Sequence, residues 1–305
     1  MSRDGRGVSR QGRSVEVGGR TLDLGNLDKV LWPATGFTKG QMVDYYARVA
    51  PVMLPHLAAR PVTLRRWPDG VEAGSFFEKN CPSHRPAWLP TIELGEVAYC
   101  SLAEPAALVW TANLAAIELH PTLASAPELG RPRAVVFDLD PGEPADLLSC
   151  ARVALVLRGA LDHLGLVSWA KTSGSKGLQL YVPTNTAVGF EETRDLAFRL
   201  ARLVEAAHPE LVVTTAERRL RTGKVLIDWA QNHPSRTTVC VYSLRAWATP
   251  SVSTPVGWDE LEAALEDGDR GRLRFSPDEV LRRIERRGDL MAPVLEVSQE
   301  IPRLG

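Results

Sequence analysis

The chain has 305 residues, 44% of them hydrophobic and 24% charged, with a formal net charge of −1. That length allows one large domain or two small modules sharing a core, and the composition is that of an ordinary globular protein. No apolar run approaches the roughly 18 residues of a membrane span, the first residues lack the apolar core of a secretory signal, and near neutrality leaves room for nucleic acid only in a local basic groove.

In chain order, residues 1–20 are rich in Arg, Gly and Ser and read as a flexible basic arm. Order is expected from a short strand at Thr21–Leu24. After Pro33, Thr38 reads as the N-cap of a helix through Met42, Tyr45, Tyr46 and Val49. Strands are expected at Val62–Trp67 and Ser75–Lys79, a helix at Pro105–Leu114, and a strand at Ala116–His120. Ala134–Asp140 has the apolar content of a buried strand and is broken by Pro141-Gly142. A helix is expected from Pro144 to about Leu164, stopped by Gly165, then strands at Val167–Lys171 and Leu178–Val182. A long helix over Glu191–Ala207 precedes strands at Leu211–Thr215, Lys224–Trp229 and Thr237–Val241. Ser276-Pro277-Asp278-Glu279 is a capping box that opens a helix to about Arg287, stopped by Gly288. Strands and helices alternate, but several strands follow one another through short turns, so a mixed α/β architecture is expected. Cys81, Cys100, Cys150 and Cys240 are scattered and form no C-x-x-C pair, so neither a zinc site nor a disulfide is expected, and a reducing cytoplasm fits.

The chemistry concentrates in the second half. Asp138 and Asp140 are two apart on a strand, so their carboxylates point the same way. Like charges that close raise each other's pKa unless a cation neutralises them, and hard divalent ions such as Mg²⁺ or Mn²⁺ take such oxygen ligands. A polar turn at a strand end would read the same way. Asp228 lies in a second apolar run, where a carboxylate is costly unless it is paired or bound to metal. Three acids from two buried strands make a metal cluster; an ion pair with a nearby arginine is the other reading. Thr172-Ser-Gly-Ser-Lys-Gly177 joins two strands and could cradle phosphate through backbone N–H groups and Lys176, or be an ordinary hairpin turn. It lacks Walker A spacing. Gln231 lies three residues past Asp228, within reach of the same pocket, and Arg245 offers a fork for phosphate.

Val136-Phe-Asp138-Leu-Asp140-Pro-Gly142, Thr172-Ser-Gly-Ser-Lys-Gly-Leu178 and Ile227-Asp228-Trp-Ala-Gln231-Asn232 resemble motifs I, II and III of the archaeo-eukaryotic primase superfamily. They are most similar to the polymerase domain of bacterial DNA ligase D and its stand-alone relatives. The resemblance runs from about residue 21 to 295 and includes the segments around Leu27–Gly36, Arg65–Pro68, Phe76–Lys79, Glu118–Pro121 and Tyr242–Arg245. It implies an RRM-like mixed sheet packed on a second αβ module: an N-terminal module over about 21–130, a metal-binding module over about 131–250, a helical segment over about 256–296, and a tail at 297–305.

The resemblance also implies a nucleotidyltransferase, a DNA/RNA primase-polymerase using a pair of Mn²⁺ or Mg²⁺ ions and NTPs, ribonucleotides preferred. Its work would be to extend or fill DNA ends and gaps in nonhomologous end joining or related repair. Carried over, Asp138, Asp140 and Asp228 are the metal ligands and catalytic acids. Arg65, Ser173, Lys176, Gln231 and Arg245 are triphosphate and nucleotide contacts. Phe76 and Phe77 are a stacking platform, and His120 stands beside the active site. Asn26, Lys29 and Lys39 form the pocket for a DNA 5′-phosphate. DNA is the implied partner, with Ku and a separate ligase partners by analogy only, and the chain is expected to act as a monomer in the cytoplasm. Gln179 stands where motif II carries histidine, and glutamine carries no proton charge. That substitution raises a second reading, a catalytically weakened adaptor that binds 5′-phosphorylated DNA ends. Primer-independent initiation is a third. No K-x-D-G ligase nucleophile motif follows, so a stand-alone polymerase or an excised domain is expected.

Overall fold

The structure is a computed structural model that describes residues 12–303. Order starts earlier than expected. Arg13–Val17 pairs with Arg20–Leu24 in an antiparallel hairpin, closed by Gly18 and Gly19 at φ +56° and +77°. A two-residue turn with both φ values positive matches strand twist, and glycine adopts it without strain. Part of the expected basic arm is therefore a strand. Alternation explains why: Leu22 and Leu24 are buried, with Val15 and Val17 packed against the same core. Residues 1–11, where the rest of the arm lies, fall outside the described residues.

Two apolar cores organise the chain. The first gathers the helices Lys39–Leu57 and Pro105–Asn113 with a five-stranded sheet. In that sheet Val62–Arg66 pairs with Phe76–Glu78, Val97–Cys100 and Ala116–Pro121, and Thr91–Leu94 pairs with Val97–Cys100. Thr38 caps the first helix as expected, its hydroxyl accepting from the Gln41 N–H while the Gln41 side chain accepts from the Thr38 N–H. Tyr46, fully buried, donates to the Ile117 carbonyl at 2.6 Å and accepts from the Leu244 N–H at 3.1 Å, welding that helix to two strands.

The second core lies between a six-stranded sheet and the helices Leu147–His163, Phe190–Ala207 and Trp258–Glu266. The strand order is Val212–Val213, Val225–Asp228, Ala134–Pro141, Leu178–Pro183, Trp169–Thr172, Pro255–Val256. Only the first pair is parallel. On the central strand Val135, Phe137 and Leu139 face these helices, while Ala134 and Val136 belong to the other core. The period-two rule then turns Asp138 and Asp140 toward the first module. The sheet is thus covered by helices on one face and carries its carboxylates on the other.

Several expectations need correction. The helix after Pro144 starts at Leu147, because Asp146 caps it by accepting from the Leu148 and Ser149 N–H groups. Thr237–Val241 is no strand; Thr237 makes one isolated bridge, to Thr122. The strand expected at Leu211–Thr215 is only Val212–Val213. Cys81 and Cys100 form a disulfide, against the expectation of none. The Cys81 N–H donates to the Ala98 carbonyl at 2.7 Å, so a non-local contact brings together two cysteines whose spacing carries no motif. Cys150 and Cys240 are buried and free. Of the expected tail, residues 304–305 lie outside the described residues; at Gln299 the side chain bonds the Val167 N–H and the carbonyls of Val167 and Pro183. No helix among the described residues is long and apolar enough to cross a membrane.

Candidate active site

Strand register aligns four side chains in one rung. Asp138 is opposite Asp228 on one side and Gln179 on the other, and Gln179 is opposite Lys171. Across the sheet the row reads Asp228, Asp138, Gln179, Lys171, with Asp140 two residues along from Asp138. Burial, with the nearby Asp140 and Asp228 charges, pushes the Asp138 carboxyl up to about 6, although the Gln179 amide pulls it down. The three acids expected from sequence to project together lie on one face of the sheet, Asp228 beside Asp138 and Asp140 two residues along.

They do not yet form a cage. Among the described residues no three His, Cys, Asp or Glu side chains are gathered as a ready-made metal site. Each outer acid is turned to a protein donor instead: Asp140 to Arg221 at 2.9 Å, and Asp228 to the Gln231 side chain and the Ala230 N–H, both at 3.1 Å. The donor set still fits a hard divalent ion. It offers carboxylate oxygens whose mutual repulsion nothing in the protein fully cancels. Beside them the Gln231 Oε1 is buried without a hydrogen-bond partner.

The Ser173–Gly177 loop sits at the end of this row. The Ser173 hydroxyl accepts from the Ser175 and Gly177 N–H groups, so it shapes the loop. Lys176 projects to Glu143 at 3.2 Å and lies over the Trp247 ring. Gly177 permits a close approach that no other residue does, since a Cβ there would stand 2.0 Å from the Leu139 carbonyl oxygen. A cleft of about 220 Å³ opens against this loop, with Trp247, Arg274 and Phe275 on its other walls. A hollow of about 550 Å³ lined by Phe198, Trp229 and Arg194 contains none of the three aspartates.

A second cluster gathers around Glu118 on the five-stranded sheet. Arg65 and Glu118 are cross-strand neighbours. The Glu118 carboxylate accepts from His120 at 2.9 Å, from Arg65 at 3.4 Å and from the Ala246 N–H at 3.2 Å, and the Arg245 Nε is 3.2 Å away. Burial alone would raise Glu118, but the His120 bond and the Arg245, His120 and Arg65 charges hold it at about 2. Burial lowers the His120 pKa; the Glu118 hydrogen bond and charge offset part of that, and the Arg245 and Arg65 charges push it down further. Arg65 lies over the rings of Trp67 and Phe77, and Arg66 over Phe76. Phe76 and Phe77 are 45% and 57% exposed, the behaviour of a platform and not of core aromatics. Arg245 joins the clusters, its chain passing so near Gly174 that a Cβ there would be 2.7 Å from its Cγ.

Sequence reasoning passed over two residues here. Glu118 organises Arg65, His120 and Arg245, and its only local signal is an acid two residues before a histidine in the buried strand Ala116–Pro121. Lys171 is fully buried, and a lysine closing an apolar strand pattern was the available sign.

Asn26, Lys29 and Lys39 come together apart from the acids, at the N-terminus of the Lys39–Leu57 helix. Asn26 is left-handed at φ 56°, its carbonyl accepts from the Lys29 N–H, and the Lys29 carbonyl accepts from the Lys39 N–H. Lys29 pairs with Asp69 at 2.8 Å. Lys39 is buried and donates to the Gly25 carbonyl; burial, aided by the Lys29 charge, lowers it to about 8. Two ammonium groups beside a helix N-terminus suit an anion.

A helix-backed mixed sheet with three acids on its open face, together with a cluster of arginines and exposed aromatics, defines a nucleotidyltransferase of the primase-polymerase class. The family model for the LigD primase-polymerase domain matches residues 38–291, and the chain belongs to that family. It is 42% identical over 275 residues to the multifunctional non-homologous end joining protein LigD of Mycolicibacterium smegmatis, covering 88% of this chain and 35% of the relative. It is 32% identical over 264 residues to the bifunctional LigD of Bacillus subtilis, covering 86% of this chain and 42% of that one. The chain thus spans about a third to two fifths of these relatives' length. Among solved structures it superposes on the polymerase domain of Mycobacterium tuberculosis ligase D, a structure in complex with DNA, with TM-score 0.83 and 41% identity over 91% of this chain and 99% of that one.

Proposed function

We propose that this chain adds nucleotides, ribonucleotides in preference, to 5′-phosphorylated DNA ends and gaps during nonhomologous end joining or related repair in the cytoplasm. The observation that carries this is the row of acids: Asp228 directly opposite Asp138, with Asp140 on the same face. A primer 3′-hydroxyl oxygen attacks the α-phosphorus of an NTP; the new P–O bond forms as the bond between the α-phosphorus and the bridging oxygen to the β-phosphate breaks, pyrophosphate leaves, and the hydroxyl proton passes to solvent. Asp138, Asp140 and Asp228 would hold a pair of Mn²⁺ or Mg²⁺ ions, which lower the hydroxyl's pKa and neutralise triphosphate charge when bound. Arg65, Lys176 and Arg245 supply positive charge toward the triphosphate, with Ser173 shaping the loop that Lys176 sits on. His120 and Gln231 lie at the edges of the same space. Phe76 and Phe77 stack on bases, and Asn26, Lys29 and Lys39 take the 5′-phosphate of the downstream strand. Ku and a separate ligase are proposed partners by analogy with the relatives' names, and the chain itself acts as a monomer.

The test is primer extension on gapped, 5′-phosphorylated DNA, comparing rNTP with dNTP and Mn²⁺ with Mg²⁺. Asp138→Ala is expected to abolish extension while leaving DNA binding within about twofold of wild type. Full extension by that variant overturns the assignment.

A further inference from the structure

We propose that Lys171 is a positioning residue for the metal site, acting through Gln179 to hold the Asp138 carboxylate in place. The inference rests on the reading of Asp138 as a metal ligand. It starts from the rung in which Asp138, Gln179 and Lys171 occupy three adjacent strands. The Lys171 ammonium is fully buried, 2.6 Å from the Gln179 Oε1 and 2.7 Å from the Ser253 Oγ. The Ser253 hydroxyl spends its one proton on the Thr172 carbonyl, at 2.9 Å, so toward Lys171 it can only accept. The Tyr181 ring lies 5.6 Å from the same ammonium.

The orientation of this chain is forced by donor and acceptor chemistry. An ammonium has three protons and no lone pair. It therefore requires the oxygen of the Gln179 amide, which turns the NH₂ along the rung toward Asp138. Gln179 is the direct cross-strand partner of Asp138, and its amide lowers the Asp138 pKa as a hydrogen-bond donor to the carboxylate would. Without Lys171 the two ends of the amide are nearly isosteric, and a flip would set its oxygen against the carboxylate. The buried charge thus gives a neutral glutamine a fixed polarity. Gln179 then needs no charge of its own, because Lys171 supplies one at a single remove. Burial draws the Lys171 pKa down to about 7, against the pull of Cys240 and Asp138, so this ammonium is kept at a cost that an apolar residue would avoid.

Residues that orient metal ligands change metal affinity by roughly 10–100-fold when removed. The experiment titrates Mn²⁺ into DNA-free protein, reading free Mn²⁺ by electron paramagnetic resonance, and measures kcat and KM for NTP in parallel. Lys171→Met and Gln179→Leu are each expected to weaken Mn²⁺ binding roughly tenfold and lower kcat with KM little changed. The double variant should be no worse than either single, because both break one chain. Unchanged Mn²⁺ affinity in Lys171→Met, or multiplicative losses in the double, overturns the proposal, even if the melting temperature falls. Should Lys171→Met not fold, Ser253→Ala carries the test: a several-fold weaker Mn²⁺ affinity is expected, and no change overturns it. Asp138→Asn separates the two layers. If it binds Mn²⁺ like wild type, the metal-site reading itself fails. If it loses Mn²⁺ while Lys171→Met does not, only the positioning role fails.

Discussion

Glu118→Gln is the sharpest test of how the basic side of the cleft is assembled. Glutamine is an isostere of the protonated acid, so the substitution removes charge and little else. Glu118 is 2% exposed and held at about 2, against 4.5 for the free side chain. A lowered carboxyl contributes stability that is present above the unfolded pKa and is lost as pH falls through the folded one. The shift of 4.5 − 2 = 2.5 units corresponds to roughly 3 kcal/mol at pH 7. At pH 3.5 the unfolded chain is already mostly protonated and the folded one is not, which leaves roughly 2 kcal/mol. Urea denaturation of wild type and Glu118→Gln at both pH values measures this. The expected gap is roughly 3 kcal/mol at pH 7, narrowing by about 1 at pH 3.5. A gap under about 0.5 kcal/mol at pH 7, or one that does not narrow in acid, refutes the claim that Glu118 anchors Arg65, His120 and Arg245.

Three further outcomes are expected. Asp138→Asn should stabilise the chelator-treated protein at pH 7 by roughly 1–2 kcal/mol after screening, because Asp138 is raised to about 6 and its ionisation costs stability as pH rises from 3.8 through that value; a lower melting temperature would contradict the like-charge cluster. Tyr46→Phe leaves the Leu244 N–H without its acceptor and should cost about 1–3 kcal/mol in chemical denaturation; a neutral result would mean that this bond does not tie the helix to the sheet. Gly177→Ala drives a methyl into the Leu139 carbonyl between Asp138 and Asp140 and should cost about 3 kcal/mol or more, read as loss of soluble folded protein; wild-type yield and melting would rule out the close packing of loop on strand.

Local physics determined a good deal of this protein from sequence alone. Thr38 and Ser276 marked helix starts because capping is settled within four residues. The side-by-side placement of Asp138 and Asp140 followed from period two on one strand, and the motif resemblance carried the family. Tertiary structure alone decided the rest, because it depends on register between strands far apart in the chain. Nothing local says that Asp228 falls opposite Asp138, or that Gln179 lies between Asp138 and Lys171. The Arg65–Glu118 pairing, the Cys81–Cys100 bridge and the grip of Arg221 on Asp140 are likewise long-range. Gln179 shows the division most plainly. In sequence it is a histidine replaced by a residue that cannot carry charge. In the fold it is an amide whose direction is set by a buried ammonium one strand away.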